Sequence, residues 1–335
     1  QAKELYDLLL AAPLAEVKEG EKVIIVPDGI LGLLPFTALV IREGPGLKDH
    51  VYVGDRYRLS YYQSGTILAL QRQWQKRRAP RPLFALGHPI FGTNDPRYVA
   101  AKGAKPIAGL SLAKTQEDYA FRGLASHKAW GQITQDDQSG QLLSYPPLPE
   151  TEQEVRAIAR TLGVKMKPPD VLLNLDANET HLRQVPLGEY RYVHFATHAD
   201  FPGKVQGINE PFILLGQVDN AKGDDGFLTM SEVLDLKLNA DMVVLSACLT
   251  GRGQVMEGEG VINFARAFQQ AGARSVVVSL WEVASQETKD FMTHFYGHLK
   301  NGRSRSEALR LARQYIKAKH PNPFFWAAFI LHGEG

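Results

Sequence analysis

From residue 190 onward, short apolar runs alternate with stretches of helical periodicity, and this alternation constrains the fold more than any other feature of the chain. The runs are 190–197 (YRYVHFAT), 211–215 (PFILL), 242–247 (MVVLSA), 275–280 (SVVVSL) and 324–331 (FFWAAFIL). Helical spacing falls at 229–236, 260–271, 286–300 and 304–319, the last opened by Ser304 and Glu307 at capping-box spacing. Strands that alternate with helices build βαβ units, so the expectation is a mostly parallel sheet with helices on both faces.

The first half is less regular. Residues 2–12 carry a helical pattern, 22–27 (KVIIVP) and 57–62 (YRLSYY) read as strands, and 66–75 reads as a helix. Residues 33–36 (LLPF) form a tight apolar turn, and 83–87 (LFALG) give another strand that ends at Gly87-His88-Pro89. Residues 92–147 are rich in Gly, Lys, Gln, Asp and Pro and show little periodicity, so they read as a long irregular stretch. The stretch closes at the stiff run Tyr145-Pro146-Pro147-Leu148-Pro149. Thr151 and Glu154, again at capping-box spacing, open a helix through Leu162. The boundary is therefore expected between 147 and 148, giving segments 1–147 and 148–335.

Charge narrows the function classes. Lys and Arg number 38 against 36 Asp and Glu, a net charge of +2, which argues against nucleic-acid binding driven by bulk charge. No apolar run reaches the ~18 residues needed to span a bilayer, and no signal-peptide pattern opens the chain. The single cysteine excludes an internal disulfide and any Cys-rich metal site, and fits a reducing, cytoplasmic compartment. Residue 1 is Gln rather than Met, so an upstream region is expected.

In open parallel sheets, ligands bind beyond the carboxyl ends of strands. Two such ends carry reactive residues: His198 follows Val193-His194-Phe195-Ala196-Thr197, and Cys248 follows Val244-Leu245-Ser246-Ala247. If these strands are neighbours, His198 and Cys248 share one cleft. A thiol near its reference pKa of ~8.5 is mostly protonated at neutral pH, and a neighbouring imidazole activates it. A tetrahedral oxyanion then needs backbone N–H donors, for which the amides of Cys248 and Ala199 are the candidates. A lone cysteine at a strand end also fits a small buried hydrophobe. The separation of 248 − 198 = 50 residues matches the spacing caspases use between histidine and nucleophile. His194 lies ~13 Å along a strand from His198, too far to share a metal, and is expected in the core or supporting the site. His294 and His298 have the i, i+4 spacing of zinc sites but lack an HExxH glutamate, so they read as a packed or surface face. Trp281, Trp326 and Phe329 read as core.

Several motifs in order resemble the CHAT domain, a caspase-like cysteine protease domain related to separase. They are Leu34-Pro35-Phe36-Thr37-Ala38-Leu39, Leu148-Pro149-Glu150-Thr151-Glu152, Val193-His194-Phe195-Ala196-Thr197-His198 and Leu245-Ser246-Ala247-Cys248. Gly258-Glu259-Gly260 follows, then Ala265-Arg266-Ala267-Phe268, Ala271-Gly272-Ala273-Arg274-Ser275-Val276, Ser279-Leu280-Trp281, Glu307-Ala308-Leu309 and Phe325-Trp326-Ala327-Ala328-Phe329. The resemblance implies a caspase-like three-layer α/β sandwich and a His198–Cys248 dyad that cleaves protein substrates without a cofactor. It further implies that 1–147 is a smaller pseudo-protease half supporting an active half at 148–335. Such domains commonly follow helical repeats, so regulation by an upstream helical-repeat region or by a separate regulatory partner is expected.

The chain departs from the family pattern at two places. Ala199 stands where the family usually has Gly after the histidine. Val283-Ala284-Ser285 stands where an acidic residue often follows the tryptophan motif, which implies an uncharged, apolar P1 residue. Glu257 and Glu259 are the acidic residues left to recruit a basic side chain in the cleft. Two other classes compete. One is a nucleotide-binding module at Gly251, Gly253, Gly258 and Gly260, which lacks GK[ST] and has Met256 where the dinucleotide pattern needs Gly or Ala. The other is a non-catalytic scaffold, against which the presence of both dyad residues argues.

Overall fold

The structure is a computed structural model that describes residues 1–73, 78–93, 95–102, 145–200, 202, 205, 207–246, 248–249, 257–281 and 285–335. The strands are β1 (Lys22–Ile25), β2 (Val40–Arg42), β3 (Val51–Tyr52), β4 (Arg58–Tyr61), β5 (Arg81–Pro89), β6 (Val171–Asn174) and β7 (Tyr190–Ala196). They continue as β8 (His198–Asp200), β9 (Phe212–Leu214), β10 (Phe227–Thr229), β11 (Met242–Leu245), β12 (Cys248–Leu249), β13 (Ser275–Ser279) and β14 (Phe329–Gly333). Eight of them form one sheet in the order β1-β4-β14-β13-β11-β7-β5-β6, and β10-β9-β8-β12 form a second, smaller one. In the large sheet every pairing is parallel except β13 with β14. The sequence expectation of a mostly parallel α/β sheet holds.

Side-chain alternation builds the layers. Along β11, Val243 and Leu245 enter one core, while Met242 and Val244 enter the other. β13 repeats the pattern, with Val276 and Val278 on one face and Val277 on the opposite face. Phe264, Ala265 and Phe268 of the helix Glu257–Gln270 cover the first face. Val155 and Ile158 of the helix Pro149–Leu162 cover the second, with Phe291 and Phe295 of Ser285–Lys300 and Leu309 and Ala312 of Arg305–Lys319. The chain is a three-layer sandwich. Strands from 22–89 and 171–333 interleave in its one large sheet, so β5 lies between β7 and β6, and β14 pairs with β4.

Two sequence expectations shift. Thr151 does not cap the helix it was expected to open. The helix starts at Pro149, with Leu148 at the N-cap, because proline at the first position lacks only an N–H the helix would not use. Thr151 then falls in the first turn. Its hydroxyl donates to the Leu148 carbonyl (2.7 Å) and accepts the His88 N–H (2.9 Å), tying the helix to the end of β5. Gly87 permits that approach: a Cβ there would stand 2.8 Å from Val155 Cγ2. The run 324–331 is strand only from Phe329; Pro323–Phe325 is a 3-10 turn, because the Asn322 side chain accepts the Phe324 N–H (3.0 Å) and diverts the backbone. The capping residue Ser304 of the last long helix lies where expected. Most of the irregular stretch 92–147 lies outside the described residues, which include the helix Pro96–Lys102 and then resume at Tyr145.

Candidate active site

The site sits where the large sheet hands over to the small one. β7 and β11 are adjacent and parallel, with Val193 opposite Val243 and Phe195 opposite Leu245. Both strands then break. Thr197 interrupts the first, and its hydroxyl donates to the Leu214 carbonyl (2.7 Å) on β9. Ser246 N–H still donates to the Phe195 carbonyl (2.8 Å), so the two chains leave the large sheet side by side. They pair again as β8 and β12, parallel, with Cys248 opposite His198 and Leu249 opposite Ala199. The offset is the same before and after the break, 245 − 195 and 248 − 198 both giving 50. The 50-residue spacing seen in the sequence is therefore the register of this strand pair. Register partners on adjacent strands lie ~4.8 Å apart in the backbone.

His198 is 4% exposed. Its Nε2 lies 2.8 Å from the carbonyl oxygen of Pro146. A carbonyl only accepts, so Nε2 carries the proton and donates, which leaves Nδ1 with the basic lone pair. Among the described residues Nδ1 has no hydrogen-bond partner, although it is buried. Burial pushes the imidazole below the ordinary histidine value; the bond to Pro146 and the charge of Asp200 partly offset this. The ring is thus neutral at neutral pH, with its free nitrogen able to take a proton. Phe91 and Tyr145 each place a ring centroid 5.3 Å from the imidazole and lie 6.4 Å from each other, so the three rings form a triangle. The Tyr145 hydroxyl donates to Asp200 Oδ2 (3.1 Å).

Sequence reasoning missed Phe91, Tyr145, Pro146 and Asp200 as parts of this site. Asp200 carried a readable signal, since i, i+2 on a strand share a face. The other three come from distant segments, and no local pattern announces them.

The remaining expected positions fall as follows. Ala199 is fully buried on β8, between β9 and β12. Glu257 opens the helix Glu257–Gln270, with Glu259 in its first turn, and Ser285 opens the helix Ser285–Lys300. Val283 and Ala284 lie outside the described residues, as do Gly251, Gly253 and Met256 of the nucleotide-binding alternative. His194 is fully buried on β7, with Nε2 3.0 Å from Glu154 Oε1 and Nδ1 3.2 Å from the Tyr296 hydroxyl. It belongs to the core, as expected. His294 stacks on Tyr315 (3.5 Å between centroids), and among the described residues no group of His, Cys, Asp and Glu is disposed to hold a metal. No helix among them is long and apolar enough to cross a membrane.

A family model for the CHAT domain matches residues 1–334. The chain belongs to the CHAT domain family. Among curated proteins it is similar to tetratricopeptide repeat protein 28 of Homo sapiens, at 25% identity over 99% of this chain. The Mus musculus protein of the same name matches at 28% identity over 56% of this chain. The chain spans 13% and 9% of the lengths of these two relatives. Among solved structures, separase in the Saccharomyces cerevisiae separase–securin complex matches with 12% identity and a TM-score of 0.47, covering 93% of this chain and 15% of that one. The Arg-specific cysteine proteinase gingipain R matches with 9% identity and a TM-score of 0.48, covering 99% and 66%.

Proposed function

We propose that this CHAT domain is a cysteine endopeptidase working through a His198–Cys248 dyad. The observation that carries the reading is the parallel register that sets Cys248 opposite His198, together with an imidazole whose Nδ1 is left unpaired among the described residues.

In the proposed cycle, Nδ1 of His198 takes the thiol proton of Cys248 as the sulfur attacks a substrate carbonyl carbon. The C=O electron pair moves onto oxygen, where the backbone amides of Cys248 and Ala199 stabilise it. Collapse of this intermediate breaks the C–N bond, and the imidazolium returns its proton to the leaving amine. A thioester remains. Water then gives a proton to Nδ1 and attacks the thioester, which releases the acid product and restores the thiol. Neither step calls for a metal or a cofactor.

Specificity is read from the same stretch as in the sequence. With Val283-Ala284-Ser285 uncharged, the substrate is a protein cleaved after an uncharged, apolar P1 residue, while Glu257 and Glu259 are the groups that would draw a basic side chain instead. Residues 1–147 act as the supporting half, since β1, β4 and β5 belong to the large sheet whose strands β7 and β11 lead into the pair β8 and β12. A helical-repeat region outside this chain is the proposed partner, in keeping with the naming of the curated relatives as tetratricopeptide repeat proteins. Terminal proteomics of cells expressing wild type against Cys248→Ala tests the whole reading. New protein termini that appear only with wild type and follow apolar residues support it. A clear Arg or Asp preference at P1 overturns the pocket assignment, and no difference between the two proteins overturns the protease.

A further inference from the structure

Three segments far apart in sequence converge on the His198 ring. Phe91 comes from just past β5, Tyr145 and Pro146 from just before the helix Pro149–Leu162, and Asp200 from the ring's own strand. Two of these contacts come from adjacent residues of one short strap: Pro146 accepts from Nε2, and Tyr145 lays its ring against the imidazole. The Tyr145 hydroxyl then anchors the strap to the strand by its bond to Asp200. Asp200 is buried, and a buried carboxylate needs donors, so the anchor meets a real electrostatic demand. Burial and the adjacent carboxylate push the Tyr145 phenol well above its ordinary value, so it stays a donor throughout the working pH range.

We propose that Tyr145 is a positioning residue for His198, holding the imidazole in the Nε2–H tautomer with Nδ1 directed to the Cys248 side, through its ring contact and its hydrogen bond to Asp200. The proposal rests on the reading of His198 as the base of the dyad. A carbonyl acceptor alone fixes which nitrogen carries the proton but leaves the ring free to pivot about that bond. A ring contact and a second tether on the same strap remove that freedom. Among the described residues, the titratable groups placed against the imidazole are Asp200 on β8 and Tyr145 on the strap, and Cys248 is the register partner of His198 on β12. β9, which flanks β8 on its other side, presents Phe212, Ile213 and Leu214 and brings none.

The test uses the full 335-residue chain with 15N-labelled histidine and long-range 1H–15N correlation spectra, in which the His198 signals are assigned by their loss in His198→Gln. Wild type should show the Nε2–H tautomer at neutral pH. Tyr145→Phe keeps the ring and takes the Tyr145 hydroxyl away from Asp200, so it should retain the tautomer and raise the His198 titration. Asp200→Asn removes the negative charge and should lower that titration. Tyr145→Ala should populate the Nδ1–H form and slow alkylation of Cys248 about tenfold, with amide spectra and thermal melts confirming the fold. A purely packing role would lower stability and leave tautomer and titration unmoved; that result in folded Tyr145→Ala and Tyr145→Phe overturns the proposal. The spectra do not depend on proteolysis. If wild type proves inert toward every peptide while the Tyr145 variants still change the His198 tautomer and titration, the protease reading falls and the positioning role stands.

Discussion

His194 and His198 lie four residues apart on one run of chain, yet the fold puts them in opposite situations. His194 points into the layer beneath the helices, where both of its nitrogens are engaged, one by Glu154 and one by Tyr296. His198 has one nitrogen engaged by Pro146, and the other, though buried, has no partner among the described residues. The break at Thr197 makes the difference. Had the strand continued, the two histidines would share a face of one sheet. Instead the chain crosses into the small sheet, and His198 lands opposite Cys248. A histidine with both nitrogens satisfied supports a core, and one held by a single nitrogen keeps a proton acceptor for chemistry.

Exchanging the roles of the two histidines should break them in different ways. The larger effect belongs to His198→Gln, which removes the proton acceptor and should cut peptide cleavage by about 10²–10⁴-fold while leaving the thermal midpoint close to wild type. His194→Gln should do the reverse. Glu154 is buried beside it (side chain 4% exposed), and disturbing its partner should cost about 3 kcal/mol in chemical denaturation, with cleavage per folded molecule little changed. If His194→Gln abolishes turnover without loss of stability, the division between core and site histidine is wrong. The smallest effect sharpens the comparison at the break itself. Thr197→Val removes the hydroxyl that bonds Leu214 and should cost about 1 kcal/mol, read as a lower denaturation midpoint at unchanged slope.

The pairing of His198 with Cys248 was legible in the sequence for a structural reason. Both residues follow apolar strands that pair in parallel, and a constant register converts spatial adjacency into a fixed sequence separation of 50. The longer strands and most helices were legible because buried runs and helical periods are local patterns, whereas the short strands β2, β3, β6, β8, β10 and β12 carried too few residues to show one. Where local signals competed, the reading slipped: Pro149 started a helix ahead of the Thr151 motif, and Asn322-Pro323 turned a stretch that composition alone presents as strand. The surroundings of His198 were not legible at all. Tyr145-Pro146 reads as a stiff linker, and only the folded chain brings it against a histidine more than fifty residues later. Interleaving of the two halves in one sheet was equally hidden, because strand order is set by long-range packing rather than by any single segment.

Because Cys248 is the only cysteine in the chain, alkylation by iodoacetamide reports on a single thiol. Its rate against pH, followed by intact mass in wild type and His198→Ala, tests whether the two residues form a working pair. The account predicts a wild-type rate that climbs through an inflection below the ~8.5 of a free thiol, because Nδ1 of His198, unpaired among the described residues, takes up the thiol proton. In His198→Ala the inflection should return towards that value and the neutral-pH rate should fall at least tenfold. Superimposable profiles from two folded proteins would contradict it.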